Sequence, residues 1–340
     1  MDIFSTNSLN RLVSSLNRPQ TALLTAYFPE IETSDTETIS FDVENTKRRI
    51  APFVSPLREG RLVEDLGYKT NTFTPAYIKD KRVFDPNKAL KRAAGETIGG
   101  DRSPADRLQA NLVRATADQV EMLMRRKEVM ASEVLRTGKV TISGDGYPTT
   151  VVDFGRSASH TVALTTTARW GETGVSPLAS IKAWGMTVLK SSGAKVQDVI
   201  FDVLAAELFL ADPAVKEFLN TRPLNVNTDN VTSVNFAELG LSYVGSIGGY
   251  RFWIYSDWYV DENNTEQPII PDYTVMMVSD DLDGVQHHGA IRDVKAGLPS
   301  MEYFVKSWEV EDPSRRILLM QSAPLIVPYR PDATFAATVR

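Results

Sequence analysis

A chain of 340 residues, 42% hydrophobic and 24% charged, has an ordinary globular composition and enough apolar residues to bury a core without staples. It contains no cysteine, which excludes a disulfide framework and thiolate chemistry. The formal net charge of −6 argues against the basic stripe of a nucleic-acid reader, and fits either plain solubility or a wall that does not adhere to an enclosed polyanion.

The N-terminal stretch lacks the continuous apolar run of a signal peptide, and no segment approaches the roughly 18 apolar residues that span a bilayer. The expectation is a protein made in the cytoplasm with no membrane partner. Residues 1–50 read as an arm. A short amphipathic piece, Leu9 to Leu16, is followed by Pro19 and mixed polar sequence, so the arm is either frayed or packed on something else. Arg61–Lys69 and Thr72–Phe84 read as two extended runs, and Pro52, Pro56 and Pro75 oppose helix there. An isolated two-stranded ribbon is marginal in water, so its faces are expected to lie on other structure, in the same subunit or a neighbour.

A long helix comes next. Ser103, Pro104 and Asp106 form an N-terminal cap with proline in the first helical position, no glycine or proline interrupts the run to Thr137, and Gly138 closes it. The predicted polar stripe is Arg114, Asp118, Glu121, Arg125, Glu128, Ser132 and Arg136, with Arg114–Asp118 and Glu121–Arg125 as i,i+4 ion pairs. The predicted apolar face is Leu108, Leu112, Ala115, Met122, Leu123, Met130 and Leu135, widened by Val113, Val120 and Met124. Such a helix is about three times the mean globular length, which suggests the backbone of a flat or elongated molecule.

Strand patterns at Lys139–Ser143 and Thr149–Phe154 flank a Gly-Asp-Gly turn. A capped helix runs from Ser176 to Ser192, then a strand over Val196–Phe201 and two short helices, Asp202–Ala211 and Asp212–Asn220. Strands are expected at Leu241–Val244, Tyr250–Tyr255, Thr274–Val278, Met301–Val310, Arg315–Gln321, Leu325–Val327 and Ala333–Val339. Helices and strands fall in blocks, which defines an α+β chain.

No catalytic constellation stands out. His160, His287 and His288 lack any accompanying metal-ligand spacing and read as solvent-facing. Asp280, Asp281 and Asp283 before Gly284 lack the remaining ligands of a calcium loop and read as a polar turn. The stretch Gly155–Ser159 is no nucleophile elbow, and Gly245–Gly249 lacks dinucleotide spacing. The expectation is therefore no enzyme, no cofactor and no metal.

Several short motifs occur in a fixed order. They are Val54-Ser55-Pro56 with Gly60, Phe73-Thr74-Pro75-Ala76-Tyr77 with Lys79, and Asp153-Phe154-Gly155-Arg156-Ser157. Val199-Ile200-Phe201-Asp202, Ala214-Val215-Lys216-Glu217 with Leu219 and Thr221-Arg222, and Met320-Gln321-Ser322-Ala323-Pro324-Leu325 follow. Taken together the chain resembles the lambda-like family of phage major capsid (head) proteins over essentially its whole length.

That resemblance implies the Hong Kong 97-type capsid fold. Residues 1–50 would be the N-terminal arm and 51–103 the E-loop with its connection. Residues 104–175 would be the P-domain spine helix and strands, 176–290 the A-domain, 291–328 further P-domain strands, and 329–340 a closing strand, assigned to the A-domain. It implies self-association into hexamers and pentamers of an icosahedral head enclosing double-stranded DNA without sequence-specific binding. It also implies a scaffold protein, a portal and a trimeric decoration protein as partners, with assembly in the bacterial host cytoplasm. Lys69, Phe73, Tyr77, Lys79, Lys81 and Phe84 are the expected E-loop residues contacting neighbouring subunits. An isopeptide crosslink known in a relative would need a lysine of this region, but a solvated ribbon carries lysines in any case. Since the sequence begins at Met1, the expectation is a scaffold separate from this chain. Two alternatives stand beside this reading: an encapsulin-like nanocompartment shell of the same fold, and a cytosolic α+β enzyme with an unrecognised site.

Overall fold

The computed structural model describes residues 4–16, 21–36, 38–44, 68–84, 103–144, 146–221, 240–294, 301–312 and 314–340, with a few positions between 50 and 59. Its arm starts with helix α1 (Thr6–Ser15), where the Ser5 hydroxyl accepts from the Ser8 N–H and satisfies one orphan donor of the first turn. Leu9 and Val13 of α1 are buried. Helix α2 (Ala22–Tyr27) buries Ala22, Leu23, Leu24 and Tyr27, so this part of the arm is core rather than fringe. Strand β1 (Glu30–Thr33) then pairs in parallel with β14 (Gly284–His288), which pairs antiparallel with β17 (Pro324–Pro328).

The strands that follow correct the expected ribbon. Strand β2 (Ile39–Glu44), from the arm, pairs antiparallel with β3 (Tyr68–Phe73). Ile39 and Phe41 are buried, and the Phe41 ring lies 5.4 Å from that of Phe154. The base of this ribbon is therefore anchored on its own subunit. Strand β4 (Ile78–Phe84) belongs to a different sheet, the antiparallel order β15-β16-β4 with β15 (Phe304–Val310) and β16 (Arg315–Ser322). Thr72–Phe84 is thus two strands separated at Pro75, which cannot donate to a ladder. Of the other expected run, residues 61–67 lie outside the described residues.

Helix α3 (Pro104–Thr137) has 34 residues, about 50 Å of rise. Ser103 and Asp106 form a reciprocal capping box at its start, and Gly138 ends it in the left-handed region at φ 68°. The helix serves two cores. Its first half buries Leu112, Val120 and Leu123 against Phe84, Val305, Leu318, Met320 and the α1 residues Leu9 and Val13. Its second half buries Ala131, Val134 and Leu135 in the main core.

That main core surrounds a six-stranded mixed sheet of order β7-β18-β13-β8-β10-β9. The strands are β7 (Thr161–Ala163), β8 (Val196–Phe201), β9 (Leu241–Ile247), β10 (Tyr250–Tyr255), β13 (Thr274–Ser279) and β18 (Thr334–Thr338). Every residue of β13 is buried, as expected of a central strand covered on both faces. Helices α4 (Pro177–Ser192), α5 (Val203–Ala211) and α6 (Pro213–Thr221) connect the sheet, with Asp202 and Asp212 accepting N–H bonds at the starts of α5 and α6. Two hairpins complete the described strands, β5 (Lys139–Gly144) with β6 (Tyr147–Asp153) and β11 (Trp258–Val260) with β12 (Glu266–Pro268).

Three further expectations are overturned. Glu128 and Ser132 are buried, not part of a solvated stripe, while Met122 is 54% exposed. Asp118 bonds Arg82 of β4 at 3.0 Å, whereas the Glu121–Arg125 pair forms as expected. All three histidines are buried. His160 and His288 fill interior positions, and His287 lies on the opposite face of β14 from His288, as neighbours on a strand must.

Candidate assembly surface and arm joint

The expected contact residues separate into an exposed set and a core residue. In β4 exposure alternates, so Lys79, Lys81 and Val83 share the outer face while Ile78, Asp80, Arg82 and Phe84 face α3. Lys79 and Lys81 are exposed, with the Lys79 ammonium 5.1 Å from the ring centre of Tyr77. The Tyr77 hydroxyl accepts from the Arg292 N–H, which ties the turn between β3 and β4 to the segment after β14. Phe73 is half-buried against the main core. Lys69 lies on β3 opposite Val43. Phe84 is 8% exposed and packs inside its own subunit, which removes it from the expected set. Its burial follows from strand alternation, because it shares the inward face with Ile78.

Residues that sequence reasoning missed join the arm to the long helix. The apolar spacing of α3 runs through Leu112, Val120 and Leu123 to Ala131 and Val134, and Lys127 and Glu128 occupy positions in that stripe. A charge at a core position of an amphipathic helix was the available signal. Glu128 accepts from the N–H groups of Leu23 and Leu24 at 2.8 and 3.0 Å and from the Tyr255 hydroxyl at 2.9 Å. It thereby caps the first turn of α2 and links arm, helix and β10. Burial raises the Glu128 carboxyl above its ordinary range, with the two backbone N–H groups opposing that shift. Lys127 points elsewhere, bonding Glu302 at 2.9 Å and approaching His288 Nε2 at 3.5 Å.

The arm has two more fastenings. Gln286 donates to the Phe28 carbonyl at 2.6 Å. Tyr27 is pushed well up by burial and by the negative charge of Asp198, a carboxylate that receives Arg251 at 2.7 Å and the Trp253 indole at 2.8 Å.

Arg156, within the Asp153–Ser157 motif, closes the other end of the helix. Its guanidinium donates to the Leu135 carbonyl at 2.7 Å, to the Arg136 carbonyl, and to the Thr334 and Thr161 hydroxyls. Burial lowers its pKa to about 10, so it stays charged at neutral pH and faces the negative end of the helix.

Among the described residues no group of three or more His, Cys, Asp or Glu could hold a metal ion. Ser191 and His160 approach at 2.7 Å, with Asp332 4.0 Å from the imidazole. The arrangement is closed: His160 is fully buried and its Nδ1 is engaged by the Thr334 carbonyl at 2.9 Å. No helix among the described residues is long and apolar enough to cross a membrane.

A long capped helix shared between two cores, a docked arm, a ribbon and a six-stranded mixed sheet are the parts of the Hong Kong 97-type capsid fold. The chain belongs to the phage major capsid protein E family, whose sequence model matches residues 5–339. It is similar to the major capsid protein of Escherichia phage lambda, 30% identical over 290 residues and 83% of each chain. It is 28% identical to that of Escherichia phage N15 over 340 residues, 98% of each chain. A solved capsid protein of an E. coli CFT073 prophage superposes with a TM-score of 0.78 at 20% identity over 99% of each chain. The function is that of a lambda-like major capsid protein of tailed phages, and the nanocompartment reading is the weaker of the two. The family is one of structural proteins.

Proposed function

We propose that copies of this chain assemble into hexamers and pentamers of an icosahedral head that encloses double-stranded DNA in the bacterial host. Whole-length membership of the capsid family carries this reading. In it, residues 104–175 with 291–328 form the rigid wall, and 176–290, with the closing strand at 329–340, meets its copies at the capsomer axis. The arm (1–50) and the E-loop (51–103) reach neighbours. Lys69, Phe73, Tyr77, Lys79 and Lys81 are the contact residues, and exposure of both β4 lysines supports their place in the set. A scaffold protein, a portal and a trimeric decoration protein are the further partners, the last adding a strand to an exposed edge. The protein acts without catalysis. Electron microscopy of the chain expressed with a scaffold tests the reading: closed shells are expected, and small oligomers alone under assembly conditions would overturn it.

A further inference from the structure

Helix α5 is apolar on every side. Eight of its 9 residues are hydrophobic, and Glu207 is its single charge. A helix of that composition belongs in an enclosed position, yet only its inner side is covered. Ala205, Ala206 and Phe209 are buried, with the Phe209 ring 4.8 Å from those of Phe201 and Phe252 on one face of the six-stranded sheet. Val203, Glu207 and Ala211, spaced i, i+4 and i+8, form an exposed stripe, and Leu204, Leu208 and Leu210 beside it are half-buried. Among the described residues nothing donates to the Glu207 carboxylate.

The β11–β12 hairpin stands on the side of the opposite face of that sheet. The Tyr255 hydroxyl meets Glu128 of α3, three residues along β10 from Phe252 and so pointing the other way. Helix α3 in turn holds the hairpin through Arg126–Glu262 at 2.9 Å and through Ser132, which donates to the Ile269 carbonyl at 2.8 Å. Trp258 is 57% and Val260 58% exposed on the outer side of the hairpin, while Tyr259 between them packs on the main core. Arg136, in the last turn of α3, lies close enough to Tyr259 for the two to interact. Its Nε is buried without a hydrogen-bond partner, and among the described residues no carboxylate forms an ion pair with it. Burial lowers its pKa, with Glu133 and Tyr259 opposing from a distance, so this cation is desolvated without a compensating partner.

We propose that these surfaces are the two halves of one contact between copies: α5 of one subunit packs on the β11–β12 hairpin of the next, Val203 and Ala211 against Trp258 and Val260, with Glu207 paired to Arg136. Resting on the capsid function proposed above, the contact supplies the surfaces through which ring-forming copies meet. The two sides complement each other: a lone carboxylate in an apolar stripe, and a lone desolvated guanidinium beside two exposed apolar side chains. Pairing α5 with α5 would instead set two Glu207 carboxylates together in an apolar contact. Because the two halves lie on opposite sides of the sheet, the contact is head-to-tail. It repeats from copy to copy and closes as a ring where the rotation permits.

The full chain expressed with a scaffold tests this, with rings and shells counted by electron microscopy and the monomer fold checked by thermal melting. Glu207→Arg and Trp258→Ser change exposed side chains. Both are expected to melt as the wild type does and to lower the yield of rings and shells about tenfold or more. Arg136→Glu with Glu207→Arg reverses the pair and is expected to recover most of that loss. In this cysteine-free chain, Val203→Cys with Val260→Cys reads the contact without altering either charge. A short bis-maleimide is expected to give a ladder of linked copies from the assembled double variant and only unlinked chains from either single variant. Wild-type yields in Glu207→Arg and Trp258→Ser, or a ladder that is missing or stops at dimers, overturn this contact and leave the capsid function standing. A folded charge swap that recovers nothing overturns the Glu207–Arg136 pair, and if the swap does not fold the crosslink decides. A wild type that forms neither rings nor shells overturns both.

Discussion

A carboxylate and a guanidinium hold the two ends of the arm–helix assembly, and each does so by accepting or donating several bonds at once. Glu128→Ala leaves two backbone N–H groups and a tyrosine hydroxyl without their acceptor in a buried site. The expected cost is about 3 kcal/mol in urea unfolding, with faster proteolysis at the arm. The pH dependence has a definite sign. A carboxyl whose folded pKa is raised contributes most below its unfolded value of about 4.5 and loses that contribution as pH rises through the folded value. The unfolding free energy of the wild type relative to Glu128→Gln is therefore expected to decline from about pH 4.5 to neutrality. Arg156→Ala removes donors from the last carbonyls of α3 and from Thr334 and Thr161 together, and about 3 kcal/mol of destabilisation is expected from denaturant melts.

At the scale of the element, the long helix is legible from its ends and misread along its flank. The Ser103–Asp106 capping box and the Gly138 stop lie in the sequence as local chemistry, and the helix has those bounds. Gly138 has a second constraint that no local rule reveals. A Cβ there would stand 2.5 Å from the Arg156 Cβ, besides occupying positive φ. Gly138→Ala is expected to cost about 2 kcal/mol, more than Ser103→Ala at about 1 kcal/mol, and thermal unfolding of the two variants checks the order. Along the flank, Glu128 and Ser132 depart from the expected polar stripe, and Lys127 belongs to neither expected face. Lys127, Glu128 and Ser132 are buried because another element supplies each with a partner: Glu302, the α2 N–H groups and the Ile269 carbonyl. The same cause explains the histidines.

For the whole molecule, the exposed lysines of β4 are the point where fold and assembly meet. Lys79→Glu with Lys81→Glu changes side chains on the outer face and leaves the inward Ile78 and Phe84 untouched. Normal monomer stability with loss of closed shells is expected, read by calorimetry and electron microscopy; normal shells would remove these residues from the contact set. By contrast, Phe84→Ala is expected to behave as a core truncation, costing about 3 kcal/mol before any assembly step.

The amino-acid sequence by itself determined the α+β class, the long capped helix, the strands of the second half other than β11, β12 and β14, and the ordered motifs that mark the capsid family. Those features depend on residues near one another in the chain: caps, turn glycines, alternation and helical spacing. Only the tertiary structure decided that β2 of the arm, rather than a second E-loop strand, pairs with β3, and that β4 completes a sheet with β16. It also decided that Lys127, Glu128 and the β14 histidines are interior. Strand partners and the burial of a charge depend on groups far away in sequence, since a buried polar atom is tolerated only where the fold brings it a hydrogen-bonding partner.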